Sequence, residues 1–210
     1  MRAALFCAAL VWPMAGHSDP AKVALLDAQF GSWLEADDAN GVLAIFKDGD
    51  LVGHSEHGVF AGTQVEMASL SKAITALCAA ELVAAKRLSW DRSFESYVPG
   101  GPDVEIASLA THSGGILPDG TQLALPLWLD QPQARGHDVL ELIKIRRGQS
   151  GTPGDYAYNN ENYALLGLTI ETTAGKPYAE TCQELVMQPA GVQGKLSKRT
   201  GAFASWADGR

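Results

Sequence analysis

From Ala73 to Ala85 the chain carries one charge, Glu81. A helix over 69–86 would be apolar on nearly all sides, and a helix of that kind is a buried one. The rest of the chain therefore has to cover it. With 210 residues, 46% of them hydrophobic and 19% charged, there is enough chain for one domain with a real core, or for one domain and part of another. That composition excludes a disordered chain, and 22 Gly and 10 Pro without a period exclude a collagen-like or low-complexity one.

Around this helix the remaining elements can be read from spacing and turn signals. Asp19 as cap and Pro20 at the first helical position open an amphipathic helix over 20–35. Val42 to Phe46 reads as a short strand, Asp48-Gly49 as a two-residue hairpin turn, and Leu51 to Val59 as the returning strand. Further helices are expected over 103–111, from Asp138 as cap to about Ile145, from near Asn160 to Gly175, and from Pro177 to Met187. Residues 117–137, with Pro118, Pro126 and Pro132, read as a loop-rich excursion, and Gly148 to Gly154 as a Gly/Pro loop. No internal repeat or linker between independent domains is apparent. One hairpin among so many helices is too little sheet, because a lone two-stranded hairpin is marginal in water.

A formal net charge of -8 and a pI near 5.0 argue against nucleic-acid binding, which relies on neutralising phosphates. No apolar run reaches the length of a membrane span. Met1-Arg2, the apolar run Ala3 to Trp12 and the small residues Ala15 and Gly16 resemble a secretory signal. Residues 1–17 are accordingly expected to be a signal peptide, 18–210 a partial domain, and the location periplasmic or secreted. Of the three cysteines, Cys78 and Cys182 could pair; each sits in an apolar helical pattern, and buried free thiols are the preferred expectation.

The uncharged helix opens with Ser69-Leu70-Ser71-Lys72. A spacing of three puts Ser69 and Lys72 on one helical face. A serine hydroxyl is a poor nucleophile until a neighbouring base takes its proton, and burial can fit a lysine for that task. The helix N-terminus favours an alkoxide there, and its N–H groups can stabilise an oxyanion. With 13 Ser and 8 Lys in the chain, chance supplies roughly half a match to this spacing, so the context has to carry the signal. Tyr158-Asn159-Asn160 precedes another helix. A phenol beside an ammonium can serve as general base or acid, and the Asn160 amide can bind a substrate carbonyl and the lysine together. Leu109-Ala110-Thr111-His112-Ser113-Gly114-Gly115 suits a tight turn close to a site, with His112 read as a hydrogen-bonded structural residue.

The order hairpin, Met67-Ala68-Ser69-Leu70-Ser71-Lys72, Leu-x-Thr-His loop, Tyr-x-Asn, Leu165-Leu166-Gly167 resembles the serine β-lactamase and penicillin-binding-protein superfamily, nearest the class C β-lactamase and D-alanyl-D-alanine carboxypeptidase branch. Leu88-Ser89-Trp90-Asp91 and Tyr97-Val98-Pro99 fit that branch too. The resemblance covers about residues 38–195. It implies an α+β (α/β) fold, with helices packed on an antiparallel sheet plus a helical subdomain. It also implies Ser69 as acylated nucleophile, Lys72 as its activating partner, Tyr158 as general base and Asn160 as substrate-binding amide, acting on a β-lactam, a D-Ala-D-Ala peptide or a small ester. No metal or cofactor is implied.

That family carries a third motif, Lys-Thr-Gly or His-x-Gly, on a strand beside the nucleophile, on the order of a hundred residues or more after Tyr-x-Asn. Only 50 residues follow Asn160, and Arg199-Thr200-Gly201 reads as a coincidental turn. The expectation is therefore a partial hydrolase domain with impaired activity, whose C-terminal strands are missing, and whose sheet another chain or a missing C-terminal segment would complete. A penicillin-binding sensor that does not turn over and an inactive scaffold remain the alternatives.

Overall fold

The computed structural model describes residues 19–59, 67–121, 136–146, 151–192, 194 and 196. The expected signal peptide, Arg199-Thr200-Gly201 and most of the 117–137 excursion lie outside the described residues. The chain divides after Thr63 into two compact units.

In the first unit the Asp19 carboxylate accepts from the Ala21 N–H at 3.0 Å and starts α1, Pro20–Ala36. Strands β1, Gly41–Lys47, and β2, Asp50–His57, pair antiparallel. Lys47 faces Asp50 across the turn, and Asp48 and Gly49 both have positive φ, 53° and 92°. Left-handed backbone at both central positions makes the hairpin turn whose twist matches the strands. Helix α1 packs on the hairpin so closely that a Cβ at Gly53 would meet the Val23 side chain at 2.7 Å. Ser55 Oγ and His57 Nε2 both reach Asp27 Oδ1, at 2.5 and 2.8 Å. The same ring nitrogen faces the serine at 3.2 Å and the aspartate, so the imidazole cannot relay a proton between them; the cluster ties α1 to β2.

The second unit is helical: α2 Ser71–Ala84, α3 Ile106–Ala110, α4 Gly136–Ile145, α5 Asn160–Ala174, and α6 Tyr178–Cys182, which continues as a π-helical turn, Gln183–Met187. Helix α4 starts two residues before Asp138, which lies in its first turn rather than at its cap. The most buried helix is α5, in which every residue from Glu161 to Ile170 is buried. Helix α2 packs on α5 and α6 through Ile74, Cys78 and Leu82, and leaves Ala73, Leu77, Glu81 and Ala84 exposed along one flank. The expectation of burial on nearly all sides thus holds for one face only. Alanine suits a helix wherever it lies, so a run of alanines does not by itself demand cover.

Two rungs join α2 to α6. Thr75 Oγ1 and the Tyr178 hydroxyl are 2.7 Å apart, and one turn further along Cys78 and Cys182 form a disulfide. This corrects the expectation of free thiols. The apolar pattern placed each cysteine in the core, but only the packing of the two helices shows that they meet, with Cα atoms 5.3 Å apart. Among the described residues the only sheet is the β1–β2 pair, and no helix is long and apolar enough to cross a membrane.

Candidate active site

Ser69 lies in a 3-10 turn, Ala68–Leu70, that leads directly into α2. Its side chain is exposed, whereas Lys72, in the first turn of α2, is buried at 6% exposure. The Lys72 Nζ donates to Ser69 Oγ at 3.3 Å and to Asn160 Oδ1 at 2.9 Å. Ser69 Oγ and the Tyr158 hydroxyl are 2.7 Å apart, and that hydroxyl reaches Asn160 Oδ1 at 3.4 Å. The structure therefore brings together all four residues singled out in the sequence. Either hydroxyl can be the donor in the short contact between Ser69 and Tyr158.

Two aromatic faces enclose the ammonium. Lys72 Nζ stands 4.8 Å from the Tyr158 ring centroid and 5.7 Å from that of Tyr163. Tyr163 is anchored by donating to the Ala110 carbonyl at 2.9 Å, and burial, with Tyr158 beside it, pushes its phenol pKa up.

Tyr158 is held from below by the loop after α3. Backbone bonds run from Ala157 N–H to His112 O at 2.9 Å and from Gly154 N–H to Ser113 O at 2.8 Å. The His112 ring lies 4.7 Å from that of Tyr158. Its Nδ1 accepts from the Asn159 N–H and faces the Asn162 amide nitrogen, each at 3.2 Å. Two donors on Nδ1 leave the ring proton on Nε2. Burial, and then the charge of Lys72, lower the pKa of His112. Its place under Tyr158 is the structural one expected of it. Between the two site residues, Asn159 is buried and caps α5: its Oδ1 accepts from the Glu161 N–H at 2.7 Å, and its amide nitrogen donates to Ile116 O.

Residues 30–194 match the family model described as Beta-lactamase. The chain belongs to that family. It is 29% identical over 167 residues to a penicillin-binding protein of Bacillus subtilis (strain 168), an alignment covering 73% of this chain and 37% of that protein. Among solved structures, a class C β-lactamase from Rhodobacter sphaeroides is 25% identical at a TM-score of 0.61, over 80% of this chain and 49% of its own. A β-lactamase/D-alanine carboxypeptidase from Pseudomonas syringae has a TM-score of 0.67 at 21% identity, over 83% of this chain and 51% of its own. The Beta-lactamase family chain thus spans 37% of the length of its Bacillus relative. Its fold is of the β-lactamase/transpeptidase kind.

Sequence reasoning missed Asp119, whose Oδ2 accepts from the Asn160 side-chain amide at 3.1 Å and from its backbone N–H at 3.0 Å, and Tyr163. Leu117-Pro118-Asp119-Gly120 carried a signal, since Pro-Asp-Gly marks a turn, but it stood at the start of a segment read only as a loop-rich excursion. Tyr163 lies within the helix expected from near Asn160 to Gly175, and nothing in the local pattern shows that its ring faces Lys72.

Proposed function

We propose that this chain is a serine hydrolase working through an acyl-enzyme on Ser69, with a β-lactam, a D-Ala-D-Ala peptide or a small ester as substrate. The observation that carries the reading is the 2.7 Å approach of Ser69 Oγ to the Tyr158 hydroxyl with Lys72 Nζ 3.3 Å from the same oxygen. Tyr158 acts as the phenolate, having given its own proton to solvent beside the Lys72 ammonium that favours the ionised form; Ser69 Oγ attacks the substrate carbonyl carbon as its proton passes to that phenolate oxygen. The N–H groups at the start of α2 face the oxyanion. Tyr158 then gives the proton to the leaving nitrogen or oxygen as the carbonyl re-forms, which leaves Ser69 acylated. Attack by water, deprotonated in the same way, releases the acid and restores the serine. The Asn160 amide, held by Lys72, stands beside the path of the substrate carbonyl.

Export to the periplasm or the exterior is part of the proposal. The apolar run Ala3 to Trp12 fits a signal peptide, and a Cys78–Cys182 bridge fits an oxidising compartment.

The test is labelling of the purified 210-residue chain by a fluorescent penicillin, with the adduct mapped by mass spectrometry. Label is expected on Ser69, and Lys72→Ala and Tyr158→Phe should each slow its formation about a hundredfold or more. Turnover of nitrocefin or a p-nitrophenyl ester separates a working hydrolase from a module that keeps its adduct. Labelling that survives Ser69→Ala intact would sink the proposal.

A further inference from the structure

An asparagine side chain has an accepting end and a donating end of nearly equal size, so its orientation is set by its neighbours. At Asn160 the accepting end faces Lys72 Nζ at 2.9 Å. The donating end faces Asp119: Asn160 Nδ2 gives a hydrogen bond to Asp119 Oδ2 at 3.1 Å, and the Asn160 backbone N–H gives a second to the same oxygen at 3.0 Å. An ionised carboxylate only accepts. It therefore excludes the flipped amide, which would turn an oxygen towards Asp119 and an NH2 group towards the ammonium.

The carboxylate is itself fixed. Its Oδ1 accepts from the Thr121 N–H at 3.0 Å and from the Thr121 hydroxyl at 2.5 Å, and Thr121 is fully buried. The residues on either side of Asp119 are pinned by an ion pair between Arg146 and Glu161. Arg146 donates to the Pro118 carbonyl, and Glu161 Oε1 accepts from the Gly120 N–H at 3.0 Å. Glu161 is fully buried and lies in the first turn of α5, beside Asn160. There is no room for slack in this turn: a Cβ on Gly120 would stand 2.8 Å from Glu161 Oε1 and 3.2 Å from Arg146 Nη1.

We propose that Asp119 is a positioning residue for the acylation centre: held by Thr121 and by the turn that Arg146 and Glu161 clamp, it aims the Asn160 carbonyl at Lys72 and so places the ammonium against Ser69. The inference rests on the reading of Ser69, Lys72 and Tyr158 given above, and its effect passes through Asn160 without contact with substrate.

A double-mutant cycle on the full chain tests it, read as the rate of labelling by fluorescent penicillin. Asp119→Asn leaves one accepting end between two sets of donors, so its NH2 group must face either Asn160 or the Thr121 N–H, and labelling should slow about tenfold to a hundredfold, as misplacement of a site group does. Asn160→Ala should do the same, and the double variant should be no slower than the slower single one. Losses that multiply, or no loss in Asp119→Asn, would overturn the inference and leave the acylation reading standing. A second measurement does not need activity. The Asn160 side-chain NH2 protons, followed by nitrogen-15 NMR, should exchange slowly with solvent in the parent chain and faster in Asp119→Asn. If the parent chain fails to label, the acylation reading falls, and unchanged exchange in the variant would then defeat the role of Asp119 separately. Should Asp119→Asn not fold, Thr121→Val leaves the carboxylate in place with one bond fewer; a shift in the same direction and of smaller size is expected, and no shift in either measurement counts against the proposal.

Discussion

Reducing the bridge between Cys78 and Cys182 should destabilise the second unit by an amount that follows from how much chain it encloses. The two cysteines are 104 residues apart. Chain-entropy reasoning for a loop of that length gives about 4.7 kcal/mol at 25 °C, a ceiling, since residual structure in the reduced unfolded chain lowers it. That is about a three-thousandfold change in the unfolding equilibrium. With a urea dependence of about 2 kcal/mol per M, the midpoint should fall by about 2 M on reduction. The comparison is best made on one sequence, oxidised and reduced, because replacing either fully buried sulfur would add a cavity cost to the loop term. Urea titrations followed by circular dichroism, with and without reductant, supply the midpoints. A tryptic map without reductant should show the peptides of Cys78 and Cys182 joined. Coincident midpoints, or peptides that separate without reductant, would refute the reasoning and restore the free-thiol reading.

Two further outcomes follow from the core of the second unit. Thr75 gives its single hydroxyl hydrogen to Ser71 O at 3.2 Å, so Tyr178 must be the donor in the contact between them, and burial pushes the Tyr178 phenol up to about 12. Thr75→Val strands a buried O–H and should cost about 1–3 kcal/mol, whereas Tyr178→Phe leaves Thr75 still paired and should cost about 1 kcal/mol; equal losses in denaturant titrations would show the donor assignment to be wrong. His112, surrounded by Lys72, Asp119, Tyr156, Tyr158 and Tyr163, has a folded pKa below its ordinary 6.5, so the unfolded chain binds the extra proton first. Stability should be fully present above pH 6.5 and decline as pH falls through the folded value, with a shallower decline in His112→Asn; a His112 ring that titrates above 6.5 by NMR would contradict this.

The local signals were the ones the sequence displayed well. The Asp19 cap, the Asp48-Gly49 turn and the end of α5 at Gly175, which takes up φ 69°, depend on a few adjacent residues and fall where turn and cap chemistry places them. The grouping of Ser69, Lys72, Tyr158 and Asn160 was implied by the family resemblance that the ordered motifs carry, and the four side chains do meet. Burial was read less well. Helix α2 looked like the central one because it lacks charge, yet α5, with Glu161, Asn162 and Thr169 among its buried residues, is more deeply enclosed. Glu161 meets Arg146 and the Asn162 amide nitrogen meets His112, both outside α5, while Thr169 bonds the Leu165 carbonyl one turn back. Hydrophobicity alone cannot reveal a partner that is distant in the chain. The same blindness hid the pairing of Cys78 with Cys182 and the carboxylate behind Asn160.

In the succession Tyr158, Asn159, Asn160 the outer two side chains face Ser69 and Lys72 and the middle one turns inward. The two asparagines are identical as letters, yet one closes off the end of a helix from inside the protein while the other faces the Lys72 ammonium. Inserting one residue between Asn160 and Glu161 would move Asn160 into the capping position and take its amide away from Lys72, with almost no change in composition. The reading frame of this tripeptide against α5 is therefore as much a determinant of the site as the identity of any one side chain in it.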